Sequence, residues 1–182
     1  MQFEKTSLDE VWLIKPRIFE DDRGHFLESF RKEIFKEKGV EYDFVQDNIS
    51  TSTKGTVRGL HYQKHPYSQA KLVMAIYGEI LDVAVDIRKD SPTFGKYFSA
   101  ILNDQNRYMM LVSSGFAHGF SVLSDQATVA YKCNQYYHKE SERGVLWNDP
   151  ALQIDWQTKS PILSEKDKQQ PLLKDIQPND LF

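Results

Sequence analysis

The sequence predicts an all-β fold: a double-sheet barrel of the jelly-roll type with a few short peripheral helices. Short runs of alternating apolar and polar residues dominate the chain, and turn signals recur about every eight to twelve residues. Aromatic residues reach 13% of 182 residues, which fits a β-rich globular protein. That length suits a single domain over residues 1–182 with a sizeable buried core.

The elements follow in chain order. Strands are expected over residues 11–14, 25–30, 44–48 and 56–62, with a helix near 31–38 that Gly39 ends. Residues 72–77 and 80–87 are two further strand-like runs, and Gly78-Glu79 between them reads as a hairpin turn. In the second run Leu81, Val83, Val85 and Ile87 share one face, and Asp82, Ala84 and Asp86 share the other. More strands are expected over 97–102, 108–112, 119–123 and 128–134, and a short helix starts at Ser164. No linker, internal repeat or low-complexity tract interrupts them.

Composition excludes several classes. A net charge of −3 gives no reason to expect nucleic acid or an acidic membrane as partner. The opening Met-Gln-Phe-Glu-Lys lacks the apolar core of a signal peptide. No apolar run approaches the roughly 18 residues of a membrane span. The single cysteine, Cys133, excludes an internal disulfide and a cysteine-based zinc site, so a cytoplasmic location is expected.

Five histidines raise a metal site first. A barrel metal site needs His-x-His on one strand, because a spacing of two puts both rings on one face. Here the run is His61-Tyr62-Gln63, and glutamine is a poor transition-metal ligand. Glu79, His118 and His65 are the other residues such a site would require.

Without a metal, His61 is either a strand histidine bonded inside the barrel or a base, since an ordinary imidazole is largely neutral at pH 7. Lys71 shares a strand face with Val73, Ala75 and Tyr77. It either reaches water from the strand end or faces inward to serve an anion such as an enolate. Tyr131 lies on the apolar face with Val129 and Cys133, as a core tyrosine or as a proton donor opposite a base. Asp167 stands three residues after Ser164 in a helix-capping pattern, and its two oxygens also allow it to orient His61. Arg23 and Arg58 are phosphate ligands or surface ion pairs. Strict alternation puts Arg58 and His61 on opposite faces, so a shared site requires a bulge or bend at Gly59.

These residues sit within a longer pattern: Asp22-Arg23-Gly24, Phe44-Val45-Gln46-Asp47-Asn48, Arg58-Gly59-Leu60-His61, Lys71-Leu72-Val73, Asp82-Val83-Ala84-Val85-Asp86, Ser91-Pro92-Thr93-Phe94-Gly95, Gly115-Phe116-Ala117-His118-Gly119-Phe120, Trp147-Asn148-Asp149-Pro150 and Leu163-Ser164-Glu165-Lys166-Asp167. In order and spacing the chain resembles, almost end to end, the dTDP-4-dehydrorhamnose 3,5-epimerases of the cupin superfamily.

The resemblance implies a jelly-roll homodimer with no metal and no cofactor. Its substrate would be dTDP-4-dehydro-6-deoxy-α-D-glucose, inverted at C3 and C5 on the route to dTDP-L-rhamnose. His61 would be the base, Asp167 its orienting partner, Tyr131 the opposed acid and Lys71 the enolate stabiliser. Arg23, Glu28, Gln46, Asn48, Arg58, Gln63, His118, Glu142 and Lys166 would hold the substrate. An exchanged N-terminal segment would bring Arg23, Phe26 and Glu28 to the neighbouring subunit's site.

Two positions depart from the family pattern. Met74 replaces an arginine and, by alternation, shares the packing face of Leu72 and Ile76. Ser113 replaces a proline two residues before Gly115, an exchange expected to loosen the turn. The competing readings are an epimerase of one carbon or of a related dTDP-4-keto sugar, a 3,4-ketoisomerase of the same fold, a metal-dependent barrel enzyme, and a non-catalytic sugar-nucleotide binding module.

Overall fold

The computed structural model describes residues 1–182. Two antiparallel sheets stack face to face. The first has six strands, ordered β1 (Gln2–Lys5), β2 (Val11–Lys15), β10 (Met109–Val112), β7 (Lys71–Tyr77), β12 (Gln126–Cys133) and β5 (Gln46–Thr53). The second has five, ordered β13 (Glu142–Gly144), β6 (Val57–Gln63), β11 (Phe116–Val122), β8 (Glu79–Asp86) and β9 (Tyr97–Asn103). A separate two-stranded ribbon joins β3 (Ile18–Asp21) to β4 (Gly24–Leu27). The helices are α1 (Lys32–Glu37) and the single turn α2 (Glu165–Lys168). The jelly-roll expectation holds.

Val73, Ala75, Ile80, Ala84, Phe120 and Val129 fill the space between the sheets. Alternation along β8 is as expected, but its continuous apolar face points outward. Leu81, Val83, Val85 and Ile87 are covered there by Leu152, Trp156 and Leu173 of the C-terminal segment. The face that carries Asp82 and Ala84 points in. Both faces of β8 are therefore buried, and the strand is an interior one, between β11 and β9.

The hairpin expected at Gly78-Glu79 does not form. β7 pairs with β10 and β12, while β8 pairs with β11 and β9 in the opposite sheet. Of the two linking residues only Gly78 has positive φ, at 72°, so the link is not a type I′ turn. The chain turns a corner between sheets, fixed by Gly78 N–H on Asp104 Oδ2 (2.8 Å) and Glu79 N–H on Ser124 Oγ (2.8 Å). A Cβ at Gly78 would lie 2.1 Å from the Gln126 carbonyl oxygen, so glycine is required at this corner. Just before it, Tyr77 stands opposite Thr128 and Ala75 opposite Val129. Ile76 is thus an extra residue, and Tyr77 turns to solvent instead of sharing the inward face of Lys71.

Other boundaries moved. The strand expected over 25–30 ends at Leu27, and the one expected from 119 begins at Phe116. The strand expected over 44–48 is β5, which starts at Gln46 and runs on to Thr53. Its inward face is polar (Gln46, Asn48, Ser50, Ser52), while Ile49 is 71% exposed. β1, β3 and β13 were not anticipated. Gly39 ends the first helix with φ 80°, as expected, and Phe35 of α1 is buried among Ile14, Met109 and Leu111.

The two departures from the family pattern have local roles. Met74 packs with Leu72 and Met109 on the outer face of the six-stranded sheet, the packing position alternation gave it. Ser113 does not leave a loose turn: its buried hydroxyl donates to the Glu10 carbonyl at 2.7 Å.

Candidate active site

A kink in β6 decides which side chains reach the interior. His118 stands opposite His61, yet Phe120 stands opposite Arg58. Three steps on β6 match two on β11, so the strand bulges between Arg58 and His61. Gly59 has φ 130°, and a Cβ there would lie 2.6 Å from Gly119 Cα. Only glycine permits both the backbone angle and the close approach. The bulge reverses the alternation, and Arg58 and His61 now line the same cavity of about 590 Å³. Lys71, His118, Phe120, Tyr131, Lys166 and Asp167 line it too. A second depression shares His61, Lys71 and Tyr131 and is walled by Gln46, Asn48, Gln63, Cys133, Tyr137 and Glu142. The three shared residues form the junction.

His61 Nε2 lies 2.5 Å from Asp167 Oδ1. A carboxylate only accepts, so Nε2 carries the hydrogen and Nδ1 keeps a free lone pair. The Ser164 cap uses the backbone N–H of Asp167, which donates to Ser164 Oγ at 3.1 Å. Capping and orientation of His61 therefore coexist without competing for one oxygen. Burial pushes the Asp167 carboxyl up, but the His61 imidazole, the Ser164 hydroxyl and Lys166 outweigh it and hold the carboxyl below its usual range.

Lys71 opens β7 directly opposite Cys133. Its Nζ donates to the His61 carbonyl at 3.5 Å and has no carboxylate within ion-pair distance. Burial lowers its pKa, against the pull of Cys133, Asp82 and Glu142. An ammonium held this way is available to an incoming anion. Tyr131 projects from β12 between Asn48 and Val73, and its hydroxyl makes no hydrogen bond within the protein. Burial raises its pKa, and Arg58 offsets part of the rise. It stays a proton donor across the neutral range.

The remaining expected residues divide into three groups. His118 Nε2 lies 2.8 Å from Asp82 Oδ1, a second buried imidazole–carboxylate pair. Arg58 donates from Nε to Ser52 Oγ at 3.0 Å, and Glu142 binds Lys166 and accepts from the Tyr137 hydroxyl at 2.8 Å. Gln46 and Asn48 bond to each other at 3.1 Å at the second depression. Gln63 also stands there, but its amide is fully engaged by backbone groups. Arg23, Phe26 and Glu28 are not brought to this chain's cavity. Arg23 pairs with Asp21 on the ribbon, Glu28 with Arg31, and Phe26 is 69% exposed. The carboxylate and second imidazole that a metal site would need are elsewhere: Glu79 accepts from Asn103 Nδ2, and the His65 ring lies against Phe182.

Sequence reasoning missed Asp82, Tyr137 and the hydroxyl ladder Ser50–Ser52. Asp82 had one signal, an acid in the middle of a strand whose immediate neighbours are apolar. The ladder had another, a strand whose apolar residue, Ile49, faces out. Tyr137 lies in an irregular segment with no period to read.

The site thus sets a base with a fixed tautomer, a partly buried ammonium and a desolvated phenol around one space. Such a set is chemically able to remove a proton from carbon, hold the resulting enolate and return a proton.

Known proteins share the sequence pattern and the fold. The sequence model of the family described as dTDP-4-dehydrorhamnose 3,5-epimerase matches residues 5–175. A Shigella flexneri protein of that name is 51% identical over 168 residues, covering 92% of this chain and 93% of its own. An epimerase structure from Legionella pneumophila, in complex with dTDP-4-keto-L-rhamnose, superposes with a TM-score of 0.96 at 47% identity, over 99% of this chain and 96% of that one. A 3′-monoepimerase from Streptomyces bikiniensis, in complex with dTDP-quinovose, gives a TM-score of 0.88 at 34% identity, over 93% and 86% of the two chains. With its fold and nearly its whole length in common with these proteins, this chain belongs to the dTDP-4-dehydrorhamnose 3,5-epimerase family.

Proposed function

We propose that this chain, as one domain, converts dTDP-4-dehydro-6-deoxy-α-D-glucose to dTDP-4-dehydro-β-L-rhamnose by inversion at C3 and C5. The observation that carries the reading is the His61–Asp167 pair sharing one cavity wall with Lys71 and Tyr131. Both carbons flank the C4 ketone. His61 Nδ1 takes the proton from C3 or C5, and the electron pair passes to O4. Asp167 stabilises the imidazolium that forms. The Lys71 ammonium faces the O4 oxyanion. The Tyr131 hydroxyl gives a proton to the opposite face of the same carbon, which inverts it. The phenolate and imidazolium then exchange protons with solvent before the second carbon reacts.

Arg58, His118, Gln46, Asn48, Glu142 and Lys166 surround the junction on both sides and suit the diphosphate and the sugar. Arg23, Phe26 and Glu28 act in trans: the exposed ribbon reaches the cavity of a second copy in a homodimer. The reaction is assigned to the cytoplasm on the resemblance and on the single cysteine. Neither nucleic acid nor membrane is a partner.

A second reading is inversion at one carbon only, motivated by the monoepimerase that shares the fold. Proton NMR of the purified protein with the substrate in D2O separates the two. Deuterium entering at C3 and C5 supports the double epimerase, and entry at one carbon supports the second reading. No entry at either carbon overturns both.

A further inference from the structure

Gln63 occupies the strand position where a metal-binding barrel would place its second histidine, and it has a different use here. It is 3% exposed, and every polar group of its amide is engaged. Nε2 donates to the Tyr67 carbonyl at 2.6 Å and to the Tyr136 carbonyl at 3.2 Å. Oε1 accepts from the His138 N–H at 2.6 Å. One side chain thus ties the segment between β6 and β7 to the segment between β12 and β13. The rings above the tie stack, Tyr67 on His138, with centroids 3.8 Å apart and planes 3° from parallel. Gln69 Nε2 on the Gln135 carbonyl and Ala70 N–H on Asn134 Oδ1 join the same segments lower down.

Between the two clamped residues stands Tyr137. Its N–H donates to Gln46 Oε1 at 2.9 Å and its hydroxyl to Glu142 Oε2 at 2.8 Å. Glu142 in turn binds Lys166. The clamp therefore sets where three mouth residues stand, although Gln63 itself is buried and its amide is engaged by backbone groups.

We propose that Gln63 is a positioning residue: by clamping the Tyr67 and Tyr136–His138 segments it holds Tyr137 and Glu142 at the cavity mouth and so sets affinity for the nucleotide sugar. The inference rests on the function proposed above. The chemistry is held independently, His61 by the capped turn α2 and Lys71 by the β7 ladder. Loss of the clamp consequently separates binding from turnover.

The test uses two variants of the full chain. Gln63→Met keeps the volume and removes all three hydrogen bonds. Its KM and its Kd for dTDP rise about tenfold or more, while kcat stays within about threefold. Gln63→Glu keeps the acceptor for His138 N–H but donates only when protonated. Its dTDP affinity weakens with rising pH as the introduced carboxyl ionises, a dependence the wild type lacks. Ser121→Ala removes a buried hydrogen bond to the Trp156 carbonyl, outside the cavity, and serves as the stability control. It lowers Tm and leaves KM and Kd unchanged.

Wild-type affinity and KM in Gln63→Met overturn the inference, as does a fall in kcat at constant KM. Should Gln63→Met not fold, the pH dependence of Gln63→Glu decides alone, and its absence overturns the inference. Wild-type protein that binds dTDP without turning over the keto sugar overturns the proposed function instead, and dTDP affinity still reads the clamp.

Discussion

Asp167→Asn isolates the electrostatic part of catalysis. The amide is isosteric, and the Ser164 cap bonds to the backbone N–H, so the turn that carries residue 167 is not disturbed. What changes is the charge beside His61. The Asp167 side chain is 5% exposed and that of His61 29%, so the pair is partly screened. With charge centres about 4 Å apart, an effective dielectric near 20 gives about 4 kcal/mol of imidazolium stabilisation. Screening at the exposed edge of His61 reduces this to about 2–3 kcal/mol. At 1.36 kcal/mol per decade, kcat falls about 30- to 150-fold. If the new amide turns its NH2 toward Nε2, the tautomer inverts, Nδ1 holds the hydrogen and the loss is larger. The assay is NMR wash-in of deuterium at C3 and C5, alongside dTDP titration. Both exchange rates fall by the same factor, because one base serves both carbons, and the Kd for dTDP stays within about twofold. Exchange within threefold of wild type, or loss at one carbon alone, refutes the assignment of Asp167 and His61 as the working pair.

The alkaline limb of kcat/KM belongs to Lys71. Its ammonium acts only while protonated, and burial lowers its pKa from the ordinary 10.5, whereas Tyr131 is raised from 10.0. The limb therefore falls below the usual lysine range, and Lys71→Arg, which does not titrate there, removes it; persistence of the limb in that variant contradicts the assignment. Tyr131→Phe slows completed inversion more than wash-out of substrate protons, since it removes the returning acid and spares the base; NMR that shows equal slowing would count against that division. Gly59→Ala forces a Cβ to within 2.6 Å of Gly119 Cα at φ 130°. Backbone strain and collision together cost about 2–4 kcal/mol, or about 4–16 °C in Tm by calorimetry, with loss of activity as Arg58 and His61 part.

Local periodicity carried most of what the sequence determined. Alternation has a period of two, so it located ten of the thirteen strands and assigned side chains to faces without any knowledge of neighbours. The same parity put Arg58 and His61 on opposite faces and made a bulge at Gly59 a requirement, which the register with β11 meets. The Ser164 cap is equally local. Parity does not say which face is inside. The outward turn of the apolar face of β8 and the polar inner face of β5 were decided only when the C-terminal segment and the cavity took their places. Nor does a local signal choose partners: β7 and β8, adjacent in sequence, went to different sheets, and the corner between them is held by Asp104 and Ser124, distant in the chain. The site depends on distance most of all. Asp167 reaches His61 across 106 residues, and His118 reaches Asp82 across 36. Hydrogen bonds of a few ångströms between such positions exist only once the sheets have stacked. The sequence therefore supplied the reacting groups, and tertiary structure decided the tautomer of His61, the burial that lowers the pKa of Lys71, and the engagement of the Gln63 amide.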